Sequence, residues 1–400
     1  MNIPSLTHHA DLRDRRHKLI ANLKVDARGR ICSRYCNNDQ EQSQMIAPST
    51  IRIIVLTALG AAGCVTDAAR RDPIVAAEAR AIEFLKREVP AWSRDNGCFS
   101  CHNNGDAARA LYAASRKGYR IPPPALADTT EWVSHPERWS HNKGDPGFSD
   151  QRLADVQFAA SLATATESGA VKTPQAMNAA VQKVAENQAE DGSWPIDAAN
   201  PVGSPATYGA TLATYMAWDS LRRVSSPETS VARLKAEEKL RAIKPDSIPN
   251  AAVLLLFLAK MQDYPSPVLA DTLSPSDREE ARGQSKRTSP APSETTAAGT
   301  AALRSCLDFL RRAQTSDGGW GPYADSPPEA FDTALALLAL AEFRAESGGS
   351  EMIRRGREFL VATQLSDGNW PATTRPSGGQ SYAQQMSTTG WATLALLATR

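Results

Sequence analysis

Beyond residue 75 the apolar positions recur at helical spacing, and the segments alternate in kind. Amphipathic stretches at Ala176–Gln188, Ala301–Gln314 and Met352–Gln364 are each followed by an Ala/Leu/Thr-rich stretch, clearest at Ala330–Leu340 and Trp391–Ala398. One punctuation recurs between the two kinds: Gln188-Ala-Glu-Asp191-Gly-Ser-Trp194, Gln314-Thr-Ser-Asp317-Gly-Gly-Trp320 and Gln364-Leu-Ser-Asp367-Gly-Asn-Trp370. Asp-Gly supplies the positive-φ residue that ends a helix. Trp packs back over the turn, and Gln can bond backbone groups freed at the helix end. Repetition of this length predicts stacked helical hairpins in an all-α chain.

The segment Gln-x-x-Asp-Gly-x-Trp resembles the QW repeat of the squalene–hopene cyclase and protein prenyltransferase superfamily, over roughly residues 75–400. The resemblance implies an α/α toroid, an outer ring of helices around an inner ring that lines a cavity. Inner helices are expected at 104–118, 150–166, 206–222, 248–262, 329–345 and 387–399. Outer partners are expected at 75–89, 174–188, 229–243, 297–314 and 350–364, with a poorly patterned sixth near 122–134. That set fits a single (α/α)6 toroid domain over 65–400, and it is too short for a two-domain cyclase. The Ser/Pro/Glu/Arg/Thr-rich stretch 274–296 is expected to be a disordered insertion, because the repeat resumes after it in phase.

Composition narrows the picture mainly at the N-terminus. Lys and Arg total 45 against 44 Asp and Glu, a net charge of +1, which gives no electrostatic case for nucleic acid. The six cysteines, at 32, 36, 64, 98, 101 and 306, are too scattered for a disulfide scaffold. Residues 1–44 are polar and basic, and read as a mis-assigned start with no part in a core. Met45 then opens a short basic start, an apolar run from Ile53 and small residues up to Gly63-Cys64. This looks like a lipoprotein signal peptide over 45–64, too short for a transmembrane helix of about 20 apolar residues. The expectation is export to the periplasmic face of a bacterial membrane, with a lipid anchor on Cys64. Ala61, where Leu is usual, weakens lipidation more than export, and a buried helix behind an unstructured arm is the alternative.

The first repeat breaks its own pattern. Asp95-Asn-Gly97 stands where Asp-Gly falls elsewhere, and then comes Cys98-Phe-Ser-Cys101-His102. Cys-x-x-Cys-His is the attachment motif of c-type haem: two thiols add to the vinyl groups and the adjacent His gives iron a neutral imidazole nitrogen. The expected cofactor is one haem c on Cys98 and Cys101, with His102 as proximal ligand and a redox partner protein implied. His135 and His141, in Trp132-Val-Ser-His135-Pro-Glu-Arg-Trp139-Ser-His141, are the distal candidates, on a loop that could fold over the haem with its tryptophans against the faces. Zinc held by Cys98, Cys101, His135 and His141 is the alternative cofactor. Residues 102–134 between the pairs exceed the usual finger spacing of about 12–15. A plain disulfide would leave His102 unexplained.

Cyclase chemistry is a second expectation to weigh. The resemblance implies an Asp-x-Asp-Asp-Thr-Ala acid motif with the central Asp as proton donor. The matching segment is Glu329-Ala-Phe331-Asp332-Thr333-Ala334, with Phe331 at the donor position, so the family mechanism is not expected. Asp332 also reads as a helix cap or first-turn residue. The prenyltransferase zinc set is lacking as well, since no histidine follows residue 141. Tyr208, Tyr215, Trp218, Phe331, Asp332 and Trp391 are candidates to line a cavity for an apolar or isoprenoid ligand, although aromatics at helical spacing also serve as plain core.

Overall fold

The computed structural model describes residues 24–25, 31–32, 72–142, 150–197, 202–262, 294–346, 348–373, 375 and 380–400. The chain divides into two units, Met1–Ala68 and Ala69–Arg400. In the first, β1 (Lys24–Val25) pairs antiparallel with β2 (Ile31–Cys32), an element that the hydrophobic pattern did not predict. Signal segment 45–64, with Cys64, and residues 274–293 of the expected insertion lie outside the described residues, while its last three residues, 294–296, open a helix.

The second unit is built from six outer–inner hairpins. The outer helices are α1 (Pro73–Asn96), α3 (Ala127–Val133), α5 (Pro174–Glu186), α7 (Pro227–Arg241), α9 (Glu294–Ala313) and α11 (Gly349–Thr363). Their inner partners are α2 (Ala108–Arg116), α4 (Gln151–Glu167), α6 (Gly209–Leu221), α8 (Ile248–Gln262), α10 (Ala330–Ala341) and α12 (Tyr382–Ala398). Starts are set chemically. Asp72, Asp150, Ser226 and Ser381 accept first-turn N–H groups, and Pro73, Pro174 and Pro227 sit at helix starts where no N–H is needed. The inner ring packs in order α2–α4–α6–α8–α10–α12 and closes where α12 meets α2, while α11 meets α1 in the outer ring. This is an all-α (α/α)6 toroid. Every inner helix follows its outer partner, so the inner helices all start at one end of the barrel.

The QW turns are the staples of the outer ring. Gln188 Nε2 donates to the carbonyls of Gly192 (3.0 Å) and Ala232 on the next outer helix (2.8 Å). Gln314 repeats this with Gly318 (2.8 Å) and Met352 (3.0 Å), and Gln364 with Gly368 and Ala77 (both 2.9 Å). The last pair ties α11 to α1. Each Trp is fully buried, donates Nε1 to a carbonyl ten residues earlier, and offers its backbone N–H to a Thr hydroxyl on its inner helix. Burying an indole removes about 150–250 Å² from water, on the order of 4–6 kcal/mol gross.

Several elements depart from the expected bounds: α1 runs on to Asn96, past the expected end at 89, and α12 starts at Tyr382, ahead of the expected 387. The inner helix of the first hairpin begins as a π-helical turn, Cys101–Ala107, ahead of α2. The poorly patterned outer segment is a 3₁₀ turn, Pro123–Ala125, followed by the short α3.

Candidate functional site

The site is assembled by the π-helical turn. Ser100 caps it, its Oγ accepting from the backbone N–H of His102 (3.2 Å) and Asn103 (3.4 Å), while Asn104 Oδ1 accepts from Ser100 N (2.9 Å). Asn103 and Asn104 donate Nδ2 to the carbonyls of Glu88 (3.0 Å) and Val89 (3.5 Å), the two residues before Pro90 in α1. Two glycines let the turn wedge between neighbours. A Cβ on Gly105 would lie 2.9 Å from Gln157 Cβ on α4, and one on Gly390 of α12 would lie 2.8 Å from the Asp106 carbonyl oxygen.

The Cys-x-x-Cys-His motif follows directly on Gly97, whose φ of +66° ends α1, and its last two residues open the π-helical turn. Cys98 is half-buried, Cys101 is buried, and both thiols are free. Burial and the nearby Asp106 push the Cys101 thiol up. His102 Nδ1 lies 2.9 Å from Ser387 Oγ on α12, and burial lowers the imidazole to about 4, so the ring is neutral at ordinary pH. A neutral imidazole held at Nδ1 presents Nε2 as the ligating nitrogen, the state that metal binding requires. Two free thiols at this spacing and a neutral histidine are the donor set that a covalent haem would use.

The loop carrying the distal candidates does fold over the motif. Asn142 clasps the Phe99 backbone, accepting from Phe99 N (3.0 Å) and donating to Phe99 O (2.9 Å). Trp132 stacks on the Phe99 ring, with centroids 4.4 Å apart at 11°, and Trp139 donates Nε1 to the Trp132 carbonyl (3.2 Å). His135 Nδ1 is turned back to the Glu131 carbonyl in α3 (2.7 Å), whereas His141 is exposed beside the Asn142 clasp. Among the described residues no group of three or more His, Cys, Asp or Glu side chains could hold a metal ion. The four residues of the zinc alternative are therefore not gathered.

Behind His102 lies a buried polar cluster that the sequence reading missed. Asp106 is fully buried. Its carboxylate accepts from Gln157 Nε2 (2.8 Å) and from the Tyr208 hydroxyl, with Arg109 Nη1 at 3.5 Å. Burial raises its pKa, while Arg109, Tyr208, Ser387 and Gln157 all favour the charged form. Tyr208 holds φ +65° at the start of α6, a strained value for a residue with a Cβ. The one sequence signal was an Asp in Asn103-Asn104-Gly105-Asp106, polar residues opening an otherwise Ala-rich inner helix.

Of the cavity candidates, Tyr208, Phe331 and Trp391 meet: the Trp391 indole takes both other rings edge-on, at 5.7 and 6.0 Å, with Arg109 over its face at 4.7 Å. Trp218 departs from the expectation. Its Nε1 donates to Glu237 on α7 (3.2 Å), so it sits between the layers, with Tyr215 beside it at 5.9 Å. Asp332 is a first-turn residue of α10, wholly buried and held by Arg375 Nη2 at 3.0 Å. Burial pushes its pKa up to about 7. Pockets of about 520 Å³ beside Tyr112 and Ile121, and about 230 Å³ beside Thr214 and Leu240, include none of these residues.

Known proteins can now be set beside this geometry. No protein-family profile matches the chain. A stretch of 100 residues is 30% identical to lanosterol synthase of Saccharomyces cerevisiae, covering 24% of this chain and 13% of that protein. A stretch of 79 residues is 38% identical to squalene–hopene cyclase of Bradyrhizobium diazoefficiens, covering 17% of this chain and 12% of that one. The matches span about an eighth of these curated relatives' length. The fold is a toroid with local likeness to cyclases. Among solved structures, an unsaturated glucuronyl hydrolase of Streptococcus agalactiae superposes with a TM-score of 0.52 at 8% identity, covering 82% of this chain and 91% of that one. At that identity the likeness concerns the fold alone.

Proposed function

We propose that this chain is an exported α/α-toroid protein that carries one covalent haem c and works in electron transfer with a partner protein. The observation that carries the reading is the Cys98-Phe-Ser-Cys101-His102 turn, with both thiols free and the imidazole held at Nδ1 by Ser387. Cys98 and Cys101 supply the thioethers, and His102 Nε2 is the proximal ligand. When bound, the haem supplies a one-electron couple. Asn142 and Trp132 hold the neighbouring loop against Phe99, which favours His141 over His135 as the distal candidate. A lipid on Cys64 would tether the protein to the membrane.

The test is maturation in a bacterial periplasm with the haem-attachment machinery. The native chain should keep a haem stain on a denaturing gel, and Cys98→Ala with Cys101→Ala should abolish it. A chelator-removable zinc equivalent with no Soret band would refute the proposal in favour of zinc.

A second reading, a cyclase-like protein that binds or converts an apolar lipid, is favoured by the local cyclase similarity and by buried Asp332, whose pKa lies at about 7. Phe331 in the donor position argues against squalene cyclisation itself. Tyr208, Phe331 and Trp391 would form its apolar contact surface. Appreciable hopanoid product from squalene would contradict this assignment of Phe331.

A further inference from the structure

The inner ring runs α2–α4–α6–α8–α10–α12, so α12 and α6 lie across the barrel from each other. Trp391 on α12 nevertheless meets Tyr208 at the start of α6 (5.7 Å), Phe331 on α10 (6.0 Å) and Arg109 on α2 (4.7 Å), which puts its indole on the barrel axis. The other sides of α12 are occupied. Thr389 Oγ1 accepts from the Trp370 N–H of the outer layer (3.3 Å), and Ser387 and Gly390 face the π-helical turn. Gln384, Thr388 and Trp391, spaced i, i+4, i+7, form the remaining row, which faces the axis from the start of α12 inward.

Each member of that row is 2% exposed or less, and each carries a polar atom with no hydrogen-bond partner among the described residues: Gln384 Oε1, Thr388 Oγ1 and Trp391 Nε1. Two more such atoms come from across the mouth. One is Gln157 Oε1 on α4, whose amide nitrogen binds the Asp106 carboxylate that Tyr208 also reaches, and the other is Arg109 Nε on α2. Buried polar groups in folded proteins are nearly all paired, so five bare ones contributed by three helices around one axis mark a place for a ligand. We propose that the N-terminal mouth of the inner ring binds a small polyhydroxylated molecule, a sugar or polyol, against the Gln384–Thr388–Trp391 row. The site is independent of the haem, and its ligand is not the apolar lipid of the second reading.

The class of ligand follows from the atoms left bare. Trp391 Nε1 and Arg109 Nε only donate, Gln384 Oε1 and Gln157 Oε1 only accept, and Thr388 Oγ1 does both. An anion would stand against Asp106, Asp332 and Glu329, which already engage Arg109 (3.5 Å) and Arg375 (3.0 and 3.8 Å). A cation would satisfy the amide oxygens and leave the two N–H groups bare. A hydroxyl donates and accepts at once, so several hydroxyls on one small frame match this mixed set. The Trp391, Phe331 and Tyr208 rings supply an apolar side for the C–H face of that frame.

The experiment is saturation-transfer NMR on the full chain with glucose, galactose, myo-inositol and glycerol as probes, alongside urea denaturation. At least one probe should bind saturably. Thr388→Val keeps the shape of the side chain and removes a hydroxyl that bonds nothing in the protein. It should weaken that probe about tenfold while the urea midpoint holds or rises. Thr393→Val, on the opposite side of α12, removes a hydroxyl that bonds the Thr389 carbonyl (2.7 Å), and should do the reverse: native binding and a lower midpoint. If Thr388→Val fails to fold, Trp391→Phe carries the test, since it removes the Nε1 donor. No binding by any of the four probes overturns the proposal, and farnesol bound in their place would assign the mouth to an apolar lipid. Native affinity in Thr388→Val also overturns it, because the probe would then lie elsewhere on the protein.

Discussion

Gly318 holds φ +89°, and a Cβ there would lie 2.5 Å from the Arg355 carbonyl oxygen on the next outer helix. Gly318→Ala therefore meets both a conformational and a steric penalty, whereas Gly118, at φ +87° with nothing within 4 Å, meets only the first. Urea denaturation should show a loss of about 2 kcal/mol or more for Gly318→Ala and about 1 kcal/mol for Gly118→Ala. Equal losses would mean that the close approach is easily relieved. Asp332 gives a pH test. Its pKa rises from 3.8 to about 7 on burial, so between about pH 4 and 7 the folded state holds a proton that the unfolded chain has released. Its contribution to stability thus falls as pH rises through that window and is level above it. The difference in urea midpoint between the native protein and Asp332→Asn should follow the same course, and a difference constant with pH would contradict the burial account. At this scale the sequence revealed residues whose role is local. Asp332 was readable as a first-turn residue, but its partner Arg375 was not, because the pairing crosses to the turn before the next inner helix.

The Gln-x-x-Asp-Gly-x-Trp turn was legible as an element because its work is done within a few residues and one neighbouring helix. Gln364 is the informative copy, since its side chain joins Gly368 to Ala77 and so the last hairpin to the first. Gln364→Ala should cost about 1–2 kcal/mol and speed hydrogen exchange at the start of α1. Exchange in α1 unchanged from the native protein would show that the ring closes without this staple. Inner helices were legible as helices but not in their facing. α6 and α10 are apolar nearly all round because both faces are buried, so no periodicity marks the side toward the barrel axis. That is why Trp218 was placed with the cavity candidates although it reaches Glu237 in the outer layer. The π-helical turn had no pattern of its own, and the His102–Ser387 contact joins positions 285 apart in sequence, beyond any local signal.

For the whole molecule, three repeats carried the resemblance that implies a toroid, and the helical pattern supplied six inner helices and five clear outer partners. Closure needs no repeat motif in every hairpin: α12 against the π-helical turn and α11 against α1 complete both rings. The export reading makes a separate prediction, that intact-mass analysis of membrane extracts finds a chain beginning at lipid-modified Cys64. Residues 1–44 retained on the mature protein would contradict it. The central claim, a haem c on the first hairpin of a toroid, is tested most directly by a pyridine haemochrome spectrum of the periplasmically matured protein. The account predicts one haem per chain, with the spectrum of a haem whose two vinyl groups have been converted to thioethers at Cys98 and Cys101. A correctly exported, folded chain with no haemochrome bands would contradict it.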